Sequence, residues 1–458
     1  MTIDRVLDRI DADLPAALER LFALLRIPSI STDPAHAADC DRAADWLVAD
    51  LSDIGFAARK HATPGRPMVV AHHDGPPGSP HYLFYGHYDV QPVDPVALWH
   101  RDPFDPAVED GPAGPEIRAR GASDDKGQLM TFVEAFRAWK AVHGSLPFRA
   151  TVFLEGEEES GSPSLLPFLA EHAEALRADL AFICDVGLYD GRVPAITTML
   201  RGLVGEEVIV RAANRDLHSG HFGGLAANPI RVLARALAAL HDDDNRVTLP
   251  GFYEGVPELS DEIRAQWQNL AFDHAAFLGD VGLSHPASET GRTPLEAIWA
   301  RPTCEFNGID GGYTGDGFKT VLPAEARAKV SFRLVGQQDP AAIRAAFRAH
   351  VRAHLPPDCT AEFREHGGSP AGHMRTDHPA FAAARAALSA EWEMPAAFIG
   401  AGGSIPVAGY FRSELGMDSL LTGFSREDDR IHSPNEKYDL RCFHKGIRSW
   451  ARIFDRLG

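Results

Sequence analysis

Two kinds of apolar pattern succeed one another along this chain, and their order predicts the architecture. Val6, Ile10, Leu14, Leu18, Leu21 and Leu25 recur at three- and four-residue steps, as in an amphipathic helix lying on a core. Short, nearly unbroken apolar runs come next: residues 82–85 (YLFY), 151–154 (TVFL) and 180–184 (LAFIC). Runs of that kind read as strands buried on both faces, hence a largely parallel sheet. Longer helical stretches at 127–142 and 164–177 fit the crossovers that such a sheet needs. Near Gly202 the pattern changes. Residues 204–212 and 326–335 alternate as half-buried strands, 360–365 forms another short strand, and 229–240 and 340–355 open on proline as helices do. Strand–helix–strand–strand–helix–strand predicts a ferredoxin-like α+β sandwich. The expected organisation is therefore an α/β domain in two parts, 1–202 and 373–458, interrupted by an inserted domain at 203–372.

Composition narrows the function classes. The 458 residues carry a formal net charge of −19, which argues against nucleic-acid partners and against anionic membranes. No apolar run approaches the roughly 18 residues that span a bilayer. The first 26 residues are studded with Asp and Glu, without the basic and apolar regions of a secretory signal. Cys40, Cys184, Cys304, Cys359 and Cys442 are scattered and include no Cys-x-x-Cys. A disulfide framework is not expected, and a reducing cytoplasm is the natural compartment.

The chemistry is concentrated at the carboxyl end of each buried run. YLFY leads into Gly86-His87-Tyr88-Asp89, TVFL into Glu155-Gly156-Glu157-Glu158-Glu159-Ser160-Gly161, and LAFIC into Asp185. Residues 121–127 (GASDDKG) add Asp124 and Asp125 at a helix start. Singly, each is ordinary: a surface His-x-Asp, a solvated acidic turn, a pair of helix caps. Together they converge, because open α/β sheets bind ligands at the carboxyl ends of their strands. So much convergent acid calls for one or two divalent cations. Imidazole and carboxylate donors without thiolate suit Zn²⁺, with Mn²⁺ or Co²⁺ as alternatives. A paired site needs a bridging carboxylate and a free one to take a proton from water. The chain has no Gly-x-Ser-x-Gly and no His-Glu-x-x-His, which weighs against a serine hydrolase and a zincin.

The motifs in order resemble the M20 family of metallopeptidases, in the branch of the nonspecific cytosolic dipeptidases and carnosinases. They are 86–92 (GHYDVQP), 121–127, 155–163 (EGEEESGSP), 216–224 (DLHSGHFGG), 308–323 (GIDGGYTGDGFKTVLP), 331–335 (SFRLV), 402–406 (GGSIP) and 431–437 (IHSPNEK). The resemblance implies two divalent metal ions, one held by His87, Asp124 and Asp185, the other by Asp124, Glu159 and His432. It implies Glu158 as general base acting on a water shared by the two metals, and Asp89 as the group orienting His87. The additional Glu157 leaves the glutamate register ambiguous, and Ser160-Gly161 fixes it. His218 is implied as an oxyanion donor supplied by the other subunit of a homodimer. Arg333, His366 and Ser404 are implied to bind a substrate carboxylate. The implied activity is hydrolysis of dipeptides or short peptides. Two alternatives stay open, an N-acyl-amino-acid deacylase and a non-enzymatic peptide-binding relative.

Overall fold

The computed structural model describes residues 3–403 and 405–458. The chain divides into two compact units, one comprising Met1–Thr198, Met374–Ile399 and Tyr410–Gly458, the other Met199–His373 and Gly400–Gly409. The first unit contributes, in chain order, α1 (Asp4–Leu25), α2 (Ala37–Ile54), β1 (Ala57–His61), β2 (Met68–His73), β3 (His81–His87), β4 (Ala107–Gly111), β5 (Gly114–Arg118), α3 (Lys126–His143), β6 (Arg149–Glu155), β7 (Leu180–Ile183) and β8 (Ala195–Leu200). The second contributes β9 (Gly202–Arg211), α4 (Pro229–Ala238), β10 (Thr303–Gly311), β11 (Glu325–Leu334), α5 (Pro340–Ala353) and β12 (Thr360–Ser369). The chain then returns to the first unit with α6 (Pro379–Trp392), β13 (Ser419–Leu421), β14 (Lys437–Asp439) and α7 (Leu440–Leu457).

A mixed sheet ordered β1-β2-β6-β3-β7-β13-β8 is the frame of the first unit. Its centre, β6, β3, β7 and β13, is parallel, and it includes the strands whose apolar runs were continuous. The flanks are antiparallel: β1 and β2 are joined by a connection too short for a crossover, and β2 and β8 turn against their neighbours. Phe84 on β3 sits in an aromatic core, 4.9 Å from Phe136 of α3 and 5.1 Å from Phe182 of β7 by ring centroids. The apolar stripe of α7 (Phe443, Ile447, Trp450, Phe454) closes over it at three- and four-residue steps. With both faces covered, this sheet can offer a ligand only its strand ends.

The second unit is an antiparallel sheet ordered β10-β11-β9-β12. Ala326, Ala328, Val330, Phe332 and Leu334 alternate inward along β11 and pack with Val204, Val208 and Val210 of β9. Val232, Leu233 and Leu237 of α4 and Ile343, Phe347 and Val351 of α5 complete this core. Both helices start as the sequence indicates. Asn228 and Asp339 accept N–H groups of the first turn, and proline occupies the next position. This is the ferredoxin-like order that the sequence pattern predicts. The strand the pattern left unmarked is β10, where exposed Glu305, Phe306 and Ile309 and a bulge at Phe306–Gly308 blur the period of two. All five cysteines are buried and unpaired. Among the described residues, no helix is long and apolar enough to cross a membrane.

Candidate metal centre

The parallel register puts the strand ends level. His87 on β3 stands opposite Glu155 on β6, and Tyr85 opposite Ile183 on β7. Three loops therefore leave one edge together, carrying His87 and Asp89, then Glu157 to Glu159, then Asp185. Asp124 arrives from the turn before α3, where the Asp124–Asp125 peptide is cis. His432 comes from the loop before β14, and that loop is pinned because β14 pairs with β5 from Lys437 to Asp439.

Two triads result. Ligand atoms of His87, Asp124 and Asp185 lie within 4.8 Å of one another, as do those of Asp124, Glu159 and His432. Asp124 belongs to both: its Oδ1 is 3.1 Å from His87 Nε2 and its Oδ2 is 2.9 Å from His432 Nε2. His432 Nε2 also lies 3.2 Å from Glu159 Oε2. His87 Nδ1 donates to the carbonyl of Asp89 at 3.1 Å, which leaves Nε2 facing the carboxylates. The Asp89 carboxylate lies 3.4 Å from His87 Nδ1 and also accepts the backbone N–H groups of Glu158 (3.2 Å) and Glu159 (3.0 Å). One buried side chain thus fixes parts of two loops. Glu157 is turned away: its carboxylate accepts the N–H groups of Arg66 (2.6 Å) and Ser164 (3.0 Å). The structure separates three adjacent glutamates into one loop anchor and two site carboxylates.

Further support comes from residues without a role in the sequence reading. Glu436 is fully buried, and its carboxylate accepts the N–H groups of Gly121, Ser123 and Asp124 and the Arg120 guanidinium at 2.7 Å. Ser123 Oγ donates to Asp429 at 2.7 Å, Gln91 Nε2 donates to Glu159 Oε2 at 2.8 Å, and Asp125 accepts the His87 N–H at 3.0 Å. Arg430, His432 and Asn435 all adopt left-handed backbone, with φ of 56°, 61° and 65°. Non-glycine residues there are uncommon, and the surrounding hydrogen bonds hold them in place. The sequence signal for this support was the motif stretch 431–437 itself, which contains Asn435 and Glu436.

The donor set fits divalent cations. Burial, partly offset by the His87 charge and reinforced by neighbouring carboxylates, holds the Glu158 and Asp185 carboxyls above their ordinary range. Burial would raise Asp124 too, but hydrogen bonds from His432 and His87 hold it low. The same contacts with Asp124 and Glu159 push His432 up to about 10. A proton on His432 thus balances part of the carboxylate charge around it. If His432 is a metal ligand, that proton competes with the ion, so affinity should climb with pH through the neutral range and binding should release protons. Calorimetric metal titrations in buffers of different ionisation enthalpy would read this. Uptake without proton release would exclude His432 as a ligand.

Other expected site residues belong to the second unit. His218 is exposed, and its Nδ1 accepts the Gly220 N–H at 3.0 Å, so Nε2 carries the proton of the neutral ring and is a donor. Arg333 lies on β11 opposite Leu203 of β9 and Thr303 of β10. His366 is paired at 3.4 Å with Glu207. Ser404 lies outside the described residues.

A sheet edge that gathers two imidazole–carboxylate triads around one shared aspartate defines a metal-dependent hydrolase. The chain belongs to peptidase family M20/M25/M40, whose model matches residues 83–456. It is 28% identical to the Cys-Gly metallodipeptidase DUG1 of Candida albicans over 469 residues, covering 98% of this chain and 96% of that one. Among solved structures it is similar to the M20 family metallo-carboxypeptidase Sso-CP2 from Sulfolobus solfataricus, with TM-score 0.79, 30% identity and coverage of 96% and 99%. It is also similar to human carnosine dipeptidase 1, with TM-score 0.77, 25% identity and coverage of 100% and 99%.

Proposed function

We propose that this protein is a metal-dependent dipeptidase that hydrolyses the peptide bond of unblocked dipeptides or short peptides. The observation that carries the reading is the pair of triads sharing Asp124, with a further carboxylate, Glu158, beside them. The relatives support the substrate class, since their names describe a Cys-Gly dipeptidase, a carnosine dipeptidase and a carboxypeptidase.

His87, Asp124 and Asp185 would hold one divalent ion, and Asp124, Glu159 and His432 the other. Such ions polarise a scissile carbonyl and make water acidic enough to lose a proton near neutrality. Their imidazole and carboxylate donors suit Zn²⁺, Mn²⁺ or Co²⁺. Glu158 takes the water proton as the new C–O bond forms, then delivers it to the amine as the C–N bond breaks. Its raised pKa suits both halves of that transfer. Asp89 keeps the Glu158 backbone still while the side chain works. His218, donating from Nε2, would stabilise the oxyanion, and Arg333 would grip the α-carboxylate bidentately. The homodimer enters this reading through the resemblance to the M20 family, which implies that the other subunit supplies His218. The unpaired cysteines favour a cytoplasmic setting.

After metal reconstitution, the test is a panel of unblocked dipeptides, the same dipeptides amidated at the C-terminus, and N-acetyl amino acids. Cleavage of the unblocked dipeptides alone is expected. Cleavage of the N-acetyl compounds in their place would make the protein a deacylase, and silence on all three with metals bound would reject the proposal.

A further inference from the structure

The second unit holds two neighbouring arginines that form no ion pair among the described residues. Arg201 stands at the entrance to β9, and Arg333 lies on β11. Leu203 pairs directly with Arg333, and residues two apart on an extended chain share a face. Arg201 and Arg333 therefore project to the same side of the sheet, opposite the one carrying Val204, Phe332 and Leu334 into the core beneath α4 and α5.

Arg201 is held there by its own backbone and by a close glycine pair. Its N–H donates to the Gly403 carbonyl at 3.1 Å and its Nε to the Gly402 carbonyl at 3.2 Å. A Cβ at Gly402 would come within 3.2 Å of an Arg201 terminal nitrogen, so this glycine leaves the room the guanidinium occupies. Neither arginine is ion-paired with a carboxylate among the described residues, and both are half-buried. Arginines at comparable or greater depth elsewhere find partners: Arg120 pairs with Glu436, Arg301 with Glu289 and Arg344 with Glu206. Burial and then the Arg333 charge pull Arg201 down to about 10, an effect that exposed Glu305 offsets in part. In a protein with net charge −19, two like charges kept together with only exposed Glu305 on the neighbouring strand to offset them are poorly accounted for by folding alone. They are well placed for an anion that arrives from solution, because repulsion present in the free protein becomes attraction when it binds.

We propose that Arg201 and Arg333 form a two-arginine clamp for the C-terminal carboxylate of the peptide substrate, with Arg201 a specificity-determining residue. Two guanidiniums offer more donors than two carboxylate oxygens require, so the clamp fixes the orientation of the carboxylate plane as well as its charge. The proposal rests on the dipeptidase reading for its choice of ligand. It does not need that reading for the anion site itself.

The experiment has two arms, both on the full-length, metal-loaded protein. In the first, steady-state kinetics on unblocked dipeptides compare wild type with Arg201→Gln and Arg201→Lys. A charged hydrogen bond to the ligand predicts a KM roughly 10- to 100-fold higher for Arg201→Gln with kcat little changed, and partial recovery in Arg201→Lys. In the second, thermal melts are recorded with acetate replacing chloride at constant ionic strength. Wild type should gain more from acetate than Arg201→Gln, and without acetate the variant should melt no lower than wild type. An unchanged KM together with an equal acetate response would overturn the clamp while leaving the dipeptidase standing. Absent dipeptide turnover with an acetate response that still depends on Arg201 would remove the dipeptidase and keep the anion site.

Discussion

Glu158→Gln should keep its metals and lose the reaction. The amide is the same size as the carboxylate but has no lone pair basic enough to take a proton from water. General-base catalysis of this kind contributes roughly 10²–10⁴ in rate, and kcat is expected to fall by about that factor. Metal content should stay at the wild-type level, because Glu158 is in neither triad. The loop should stay in place as well, since Asp89 holds it through backbone N–H groups that the substitution does not touch. Turnover and metal stoichiometry measured on the same preparation decide the matter: near-wild-type kcat removes Glu158 as the base. The variant also tests the dimer. If His218 acts across a subunit boundary, heterodimers of Glu158→Gln and His218→Ala should recover activity, because one of the two sites then carries both intact groups. No recovery in verified heterodimers would count against that arrangement.

The second large effect is expected on stability, at Glu436. Glu436→Ala removes a carboxylate that receives three backbone N–H groups and the Arg120 guanidinium. Arg120 is itself 1% exposed. Breaking a buried pair by deleting one partner typically costs about 3–5 kcal/mol, because the remaining charge stays desolvated. For a unit of this size that corresponds to a fall in Tm on the order of 10 °C. The loop released is the one that carries Asp124, so metal affinity should fall in parallel. Melting with and without chelator separates the two effects. A wild-type Tm would show that water satisfies these groups as well as Glu436 does.

Residues that act through their neighbours in sequence were legible, and residues that act at long range were not. The continuous runs at β3, β6 and β7 announced themselves because strands covered on both faces carry no polar alternation. His87, Glu158, Glu159 and Asp185 stood out because each comes within a few positions of the end of such a run. Glu436 gave no comparable signal. Its partners are backbone amides more than 300 residues earlier, and any residue offers an amide. The glutamate triplet shows the same limit at short range. Adjacency could not say which carboxylate turns toward Arg66 and Ser164, and only the folded loop separates Glu157 from its neighbours. β1 was silent for the opposite reason, since it is a mostly exposed edge with little apolar pattern to read.

The position of His432 and Glu436 in the chain has a consequence for biosynthesis. Four acidic groups of the candidate centre, and the imidazole of His87, are translated before the whole second unit. The other imidazole and the carboxylate that braces Asp124 emerge some 250 residues after Asp185. Until then β5 lacks β14. The aromatic core also waits for Trp450 and Phe454. Completion of the candidate centre and closure of the aromatic core thus depend on the same stretch, residues 432–454, so a chain released within the inserted unit has neither the Asp124–Glu159–His432 triad nor the helix that covers Phe84.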